Sequence, residues 1–150
     1  MSDQNNEIVS DNDTTIQQLA EEFSQYENGP DEIMLEAWKA TYGKFFVSSI
    51  LGEEDMYVWR TLNRTEYKQL VNSGVTKIQS AYEEAIVRKC ILWPQVTPET
   101  VASSDAGTIP TLSKQILFKS GFVSDQFALS LIKVIWWMRI SLIVAMGGLQ

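Results

Sequence analysis

Two short runs of β-branched and aromatic residues, 45–51 and 56–62, are separated by one glycine and three acids. Such runs are typical of β-strands, and a polar connection of four residues has a length that closes a hairpin. Side chains alternate along a strand, so Tyr57 and Trp59 face one side and Val58 faces the other. Because large apolar groups occur on both sides, the pattern predicts that neither face of the second strand is exposed to water.

Apolar residues recur at helical spacing on both sides of this hairpin. The predicted helices lie near 14–27, 31–42, 63–72, 76–90 and 111–120. Three of them begin with a capping-box pattern, a polar cap followed three positions later by Gln or Glu, at Thr14 and Gln17, Asn63 and Glu66, and Thr76 and Gln79. Between Pro94 and Pro110 the pattern predicts a loop.

The segment 127–146 is about the length of a membrane span and is interrupted only by two serines, Lys133 and Arg139. Each charge would cost about 2.5 to 3.5 kcal/mol deep in hydrocarbon. The adjacent Trp136 and Trp137 lie in the middle of the segment, whereas interfacial tryptophans belong at its ends. The pattern favours a helix buried in the fold or in a partner, with membrane insertion as the alternative.

These elements predict an α+β fold that is mainly helical and contains one central β-hairpin. Three parts follow along the chain: an acidic N-terminal arm with two helices at 1–43, a hairpin-helix body at 44–121, and a hydrophobic C-terminal helix at 122–150.

The composition narrows the classes of function. A chain of 150 residues with 45% hydrophobic residues has the length of one domain and can bury a sizeable core. It contains no histidine, the commonest general base and metal ligand, and its single cysteine, Cys90, excludes an internal disulfide. With no apparent signal peptide, we expect a reducing cytoplasm as the site of synthesis.

The net charge of -7 is unevenly distributed. Residues 1–32 contain nine acids and no base, while the remaining ten acids and twelve bases leave residues 33–150 with a net charge of +2. An acidic arm repels phosphate, which argues against nucleic-acid binding and favours either a solvated tail or docking on a basic protein surface.

No pattern of catalytic or metal-binding residues stands out. Glu83 and Glu84 are adjacent on a predicted helix and point about 100° apart, so their carboxylates do not converge. The acids at 53–55 lack the spacing of a calcium loop. Phosphate-binding glycine patterns, CxxC pairs and nucleophile elbows are absent from the sequence. We therefore expect a protein that is not an enzyme and holds no cofactor or metal.

Four short motifs follow one another from the second strand onward: W-R-x-L, N-R-T-E-Y-K-Q-L, I-V-x-K-C-I and I-P-T-L-x-x-Q-I-L-F-K-S-G. Their order resembles that of small baseplate hub proteins of contractile-tailed bacteriophages, which are close in plan to phage tail-assembly proteins. The resemblance covers residues 45–121, about half of the chain. The matching positions are Tyr57, Trp59, Arg60, Leu62, Arg64, Glu66, Tyr67, Lys68, Leu70, Ile86, Val87, Cys90, Ile91, Ile109, Pro110, Leu112, Leu117, Lys119, Ser120 and Gly121.

The resemblance implies a structural virion protein of the phage tail, in its baseplate or hub, that is assembled in the host cytoplasm and acts by burying surface between proteins. Its expected partners are other tail or baseplate proteins, with a homo-oligomer as a further possibility, and neither nucleic acid nor a membrane. Two alternatives stay open: a tail-assembly chaperone that binds the tape-measure protein, and a small membrane-associated protein. The expected interface residues are Trp59, Arg60, Tyr67, Trp136, Trp137, Ile140 and Ile143.

Overall fold

The computed structural model describes residues 15–50 and 55–125 of the chain. In these ranges helices surround one three-stranded antiparallel sheet, so the predicted α+β class is confirmed. The elements are α1 (Ile16–Phe23), α2 (Glu32–Tyr42), β1 (Phe46–Ser49), β2 (Met56–Trp59), α3 (Arg64–Ser73), a 3₁₀ turn (Val75–Lys77), α4 (Gln79–Cys90), β3 (Ile91–Trp93), α5 (Pro98–Ser103) and α6 (Thr108–Lys119). The predicted C-terminal helix lies outside the described residues.

The predicted hairpin is confirmed, and a third strand completes the sheet. β1 pairs with β2 in antiparallel register, with Phe46 opposite Trp59 and Ser49 opposite Met56. β3 pairs with the other edge of β2, so β2 is the central strand. β3 has only three residues and follows α4 directly, without a turn signal that would mark its start.

The region between Pro94 and Pro110 is not a continuous loop, because α5 and the first turn of α6 lie within it. The prediction of a loop there was wrong. Helix α5 has only six residues, too short for apolar periodicity to reveal it. Its start is nevertheless readable from the sequence. Thr97 caps the helix, and Pro98 occupies the first turn, where the backbone N–H that proline lacks would have no partner within the helix.

Both faces of β2 are covered, as the alternation of its side chains predicted. Val58 is fully buried and packs with Phe23 and Leu35 of the two N-terminal helices. Trp59 points to the opposite side, where it is 3% exposed and joins the core formed mainly by α4 and α6. That second core contains Trp59, Leu62, Ile86, Val87, Cys90, Ile109, Leu112 and Ile116. The sheet is therefore the middle layer of three.

The two N-terminal helices belong to the core on the Val58 face of the sheet. The ring of Phe23 meets the edge of Trp93 of β3 at a centroid distance of 5.3 Å, and Trp38 meets Phe45 at 6.4 Å. Leu35 is fully buried. Residues 16–42 thus share a hydrophobic core with the sheet, and the acidic character of this part lies on its outer surface.

The predicted helix starts are met at some positions and missed at others. Asn63 and Glu66 form the predicted capping box of α3. The first helix is capped by Thr15 with Gln18, one residue later than predicted. The capping box predicted at Thr76 and Gln79 was wrong. A 3₁₀ turn takes up residues 75–77, and α4 starts at Gln79 without a side-chain cap.

The predicted helix at 76–90 also included Ile78, but Ile78 precedes the first turn of α4 and is 64% exposed. Ile86 and Cys90 of the same predicted helix are fully buried.

We expect Trp59→Ala to lower the free energy of unfolding by about 3 kcal/mol or more, the scale for emptying a buried aromatic site. Trp59 stacks on Phe46 at 4.7 Å between ring centroids, and its indole Nε1 donates to Ser48 Oγ at 2.8 Å. The measurement is urea unfolding followed by circular dichroism. Phe118→Ala is the control: Phe118 is 66% exposed, and its loss should change stability by no more than about 0.5 kcal/mol. Equal effects of the two substitutions would contradict the placement of Trp59.

Candidate interaction surface

A partly buried ion pair at the end of β2 sets the position of α3. Arg60 donates through both terminal nitrogens to Glu66, at 3.0 Å and 2.9 Å, in a bidentate arrangement. Arg60 also donates to the carbonyl of Lys89 at 3.1 Å and lies 5.1 Å from the ring centroid of Tyr42. One guanidinium therefore joins β2 to α3, to the end of α4 and to the end of α2.

The surroundings of this pair favour the charged form of both partners. Partial burial by itself raises the pKa of the Glu66 carboxyl, but the hydrogen bonds from Arg60 and from the backbone of Asn63 outweigh it, and the net pKa lies below the ordinary value. The hydrogen bond to Glu66 raises the pKa of Arg60, against the opposite effect of burial. The pair therefore works as a structural clamp and not as a proton donor or acceptor.

The predicted interface residues fall into four groups. Trp59 is 3% exposed and lies in the core, where it supports the sheet. Arg60 is engaged in the clamp, and its side chain is 15% exposed. Tyr67 is half-buried on α3 and is the one of these three that lies at a surface. The other expected residues, Trp136, Trp137, Ile140 and Ile143, lie outside the described residues.

One face of α3 combines basic and apolar side chains. Arg64, Tyr67, Lys68 and Val71 follow the spacing i, i+3, i+4 and i+7, which places them along one stripe. The ring of Phe122 lies against Tyr67 at a centroid distance of 5.0 Å and is itself 40% exposed. We call these five residues the α3–Phe122 surface.

The end of α6 explains how Phe122 reaches α3. Gly121 has a φ of 96°, a conformation that glycine adopts without steric cost. Its N–H donates to the carbonyl of Phe118, and the N–H of Phe122 donates to the carbonyl of Leu117. These two bonds form a Schellman motif, which turns the chain back across the last turn of the helix. Sequence reasoning missed Phe122, although a glycine followed by an apolar residue at a helix end is the signal for this motif.

Other chemistry has little support in the described part of the chain. Burial raises the pKa of the Cys90 thiol to about 12, so it is not a nucleophile near neutral pH. Residues 15–50 and 55–125 contain no group of three or more His, Cys, Asp or Glu side chains placed to hold a metal ion. Across these same ranges, no helix has the length and apolar character needed to cross a membrane.

No protein-family model, curated protein or solved structure matches this chain.

We expect Glu66→Gln to lower the free energy of unfolding by about 1 to 2 kcal/mol at pH 7, because it removes charge-assisted hydrogen bonds from Arg60. Since the pKa of Glu66 is lowered by folding, its contribution is complete above the ordinary value of 4.5 and is lost as the pH falls below it. Urea unfolding of both proteins from pH 7 to pH 3 measures this. The difference in stability between the parent protein and Glu66→Gln should therefore shrink as the pH falls. Glu84→Gln, at an exposed position, is the control and should match the stability of the parent protein at every pH.

Proposed function

We propose that this protein is a non-enzymatic structural component of a phage tail, in the baseplate or its hub, that works by burying surface against other proteins during assembly. The α3–Phe122 surface carries the proposal. Tyr67, Val71 and Phe122 expose apolar area next to two cations, a combination suited to a protein interface.

The location of this surface supports the proposal further. The motif N-R-T-E-Y-K-Q-L that contributes to the resemblance to baseplate hub proteins is the sequence of Asn63 and the first seven residues of α3. Within it, Glu66 and Leu70 hold the helix to the body, while Arg64, Tyr67 and Lys68 lie along the surface stripe. A single short motif thus provides both the clamp and the outward-facing residues.

Two alternative roles stay open. A tail-assembly chaperone would bind the tape-measure protein through an apolar surface of this kind and would leave before assembly ends. A membrane-associated protein would insert the apolar segment 127–146, whose length favours that role while Lys133 and Arg139 oppose it.

We expect mass spectrometry to detect the chain in purified mature particles from cells that express it with the other tail genes, since a structural component stays in the particle. Val71→Asp should reduce its incorporation strongly, because a carboxylate in the α3–Phe122 surface must lose water on binding. Ile78→Asp is the control, because Ile78 is an exposed aliphatic residue elsewhere and aspartate is favourable at the N-cap of α4.

The outcomes separate the three roles. Presence only in unfinished tails would indicate a chaperone, and carbonate-resistant pelleting with membranes would indicate the membrane role. Equal incorporation of both variants, with equal thermal stability, would remove the α3–Phe122 surface from the proposed interface.

A further inference from the structure

The outward side of α2 carries a second stripe that is exposed along its whole length. Ile33, Glu36, Ala37 and Ala40 follow the spacing i, i+3, i+4 and i+7, and all four are exposed, Ile33 by 79%. Glu32 lies beside them. We call these five residues the α2 outer surface. An exposed isoleucine next to two alanines forms a flat apolar strip with carboxylates at its border.

The charges of the described residues are divided between two regions. Residues 15–38 contain six acids and no base: Glu21, Glu22, Glu27, Asp31, Glu32 and Glu36. Residues 39–50 and 55–125 contain ten bases and seven acids. Four of the five residues of the α2 outer surface lie in the negative region, and Lys39 is the one base of α2. The α3–Phe122 surface, with Arg64 and Lys68, lies in the positive region. The two surfaces are complementary in charge and both expose apolar side chains.

These surfaces lie on opposite sides of the sheet. Leu35 of α2 packs on the face of β2 that carries Val58, so the α2 outer surface points away from that side. Tyr67 and Leu70 of α3 pack against the core on the face that carries Trp59. The two complementary surfaces therefore cannot meet within one copy.

We infer that the α2 outer surface of one copy packs against the α3–Phe122 surface of a second copy of this chain. Glu32 and Glu36 then face Arg64 and Lys68, and Ile33 meets the apolar side chains beside them. The small side chains of Ala37 and Ala40 let the exposed Val71 and Phe122 approach the α2 backbone closely.

The charges left on the two surfaces favour this arrangement. Among the described residues Arg60 and Glu66 form the only ion pair, so the acid nearest to Arg64 and Lys68 within α3 is already engaged. Because the two surfaces lie on opposite sides of the sheet, their contact repeats head to tail and builds a ring or a filament. The inference deepens the proposed assembly role by naming a partner.

Charge reversal in the full-length chain tests this contact. Sedimentation velocity should show self-association at about 50 mM salt that weakens at about 500 mM, because screening acts on the exposed charges. Glu32→Lys with Glu36→Lys makes both surfaces basic, and Arg64→Glu with Lys68→Glu makes both acidic. Each double variant alone should self-associate at least about tenfold more weakly than the parent, since like charges then face each other.

Mixing the two double variants should restore association, because each then offers a surface of opposite charge to the other. Glu84→Lys with Glu99→Lys and Lys77→Glu with Arg88→Glu change the net charge equally at exposed positions away from both surfaces, and each should associate like the parent. Circular dichroism melting of every variant excludes unfolding as the cause of a loss.

A disulfide test locates the contact directly. When a chain with Ile33→Cys is mixed in equal amount with a chain carrying Val71→Cys under mild oxidation, the mixed disulfide dimer should clearly exceed the two homodimers together, which it would only equal if pairing were random. Cys90 is fully buried and does not compete. A parent chain that stays monomeric at low salt, a mixture of double variants that does not associate, or statistical disulfide pairing would overturn the inference. A chain that enters particles yet remains monomeric at low salt would overturn the inference alone and leave the proposed function standing.

Discussion

The burial of strand β2 on both faces is the constraint on which the described structure depends. Val58 and Trp59 are neighbours in sequence, yet one packs against α1 and α2 and the other against α4 and α6. Because the described part of the chain has only three short strands, neither side could be stable alone: a small sheet requires a covered apolar face. The helices before and after the hairpin are therefore layers of one core, and damage to either layer exposes the strand that both share.

Polar contacts hold these layers in register at the ends of β2. The Arg60 guanidinium joins the end of the strand to α3, to the Lys89 carbonyl at the end of α4 and to Tyr42 of α2. On the Trp59 face, Ser48 accepts from the indole and donates to Gln115 Oε1 at 2.6 Å, which links β1 to α6. Among the described residues no buried side-chain nitrogen or oxygen lacks a partner. Buried polar groups that are fully satisfied specify one arrangement of the layers.

The three-layer arrangement has a consequence for assembly. Each outer layer has a side that its own core does not use, and these sides differ in charge: acidic on α2, basic on α3. A monomer leaves apolar side chains exposed on both, Ile33 on one and Val71 with Phe122 on the other. Burial of these side chains against a surface of opposite charge would stabilise an assembly, and the opposite side of a second copy carries such a surface.

The sequence by itself determined the local elements that short-range chemistry controls. The hairpin, the helix near 31–42, the capping box of α3 and the two-sided burial of β2 were all readable, because strand alternation and cap hydrogen bonds involve neighbours along the chain. Tertiary structure alone decided β3, whose three residues become a strand only because β2 offers an open edge, and the exposure of Ile78. It also decided which surfaces remain, since the contact of Tyr67 with Phe122 joins residues 55 positions apart, and periodicity along one element contains no information about what another element covers.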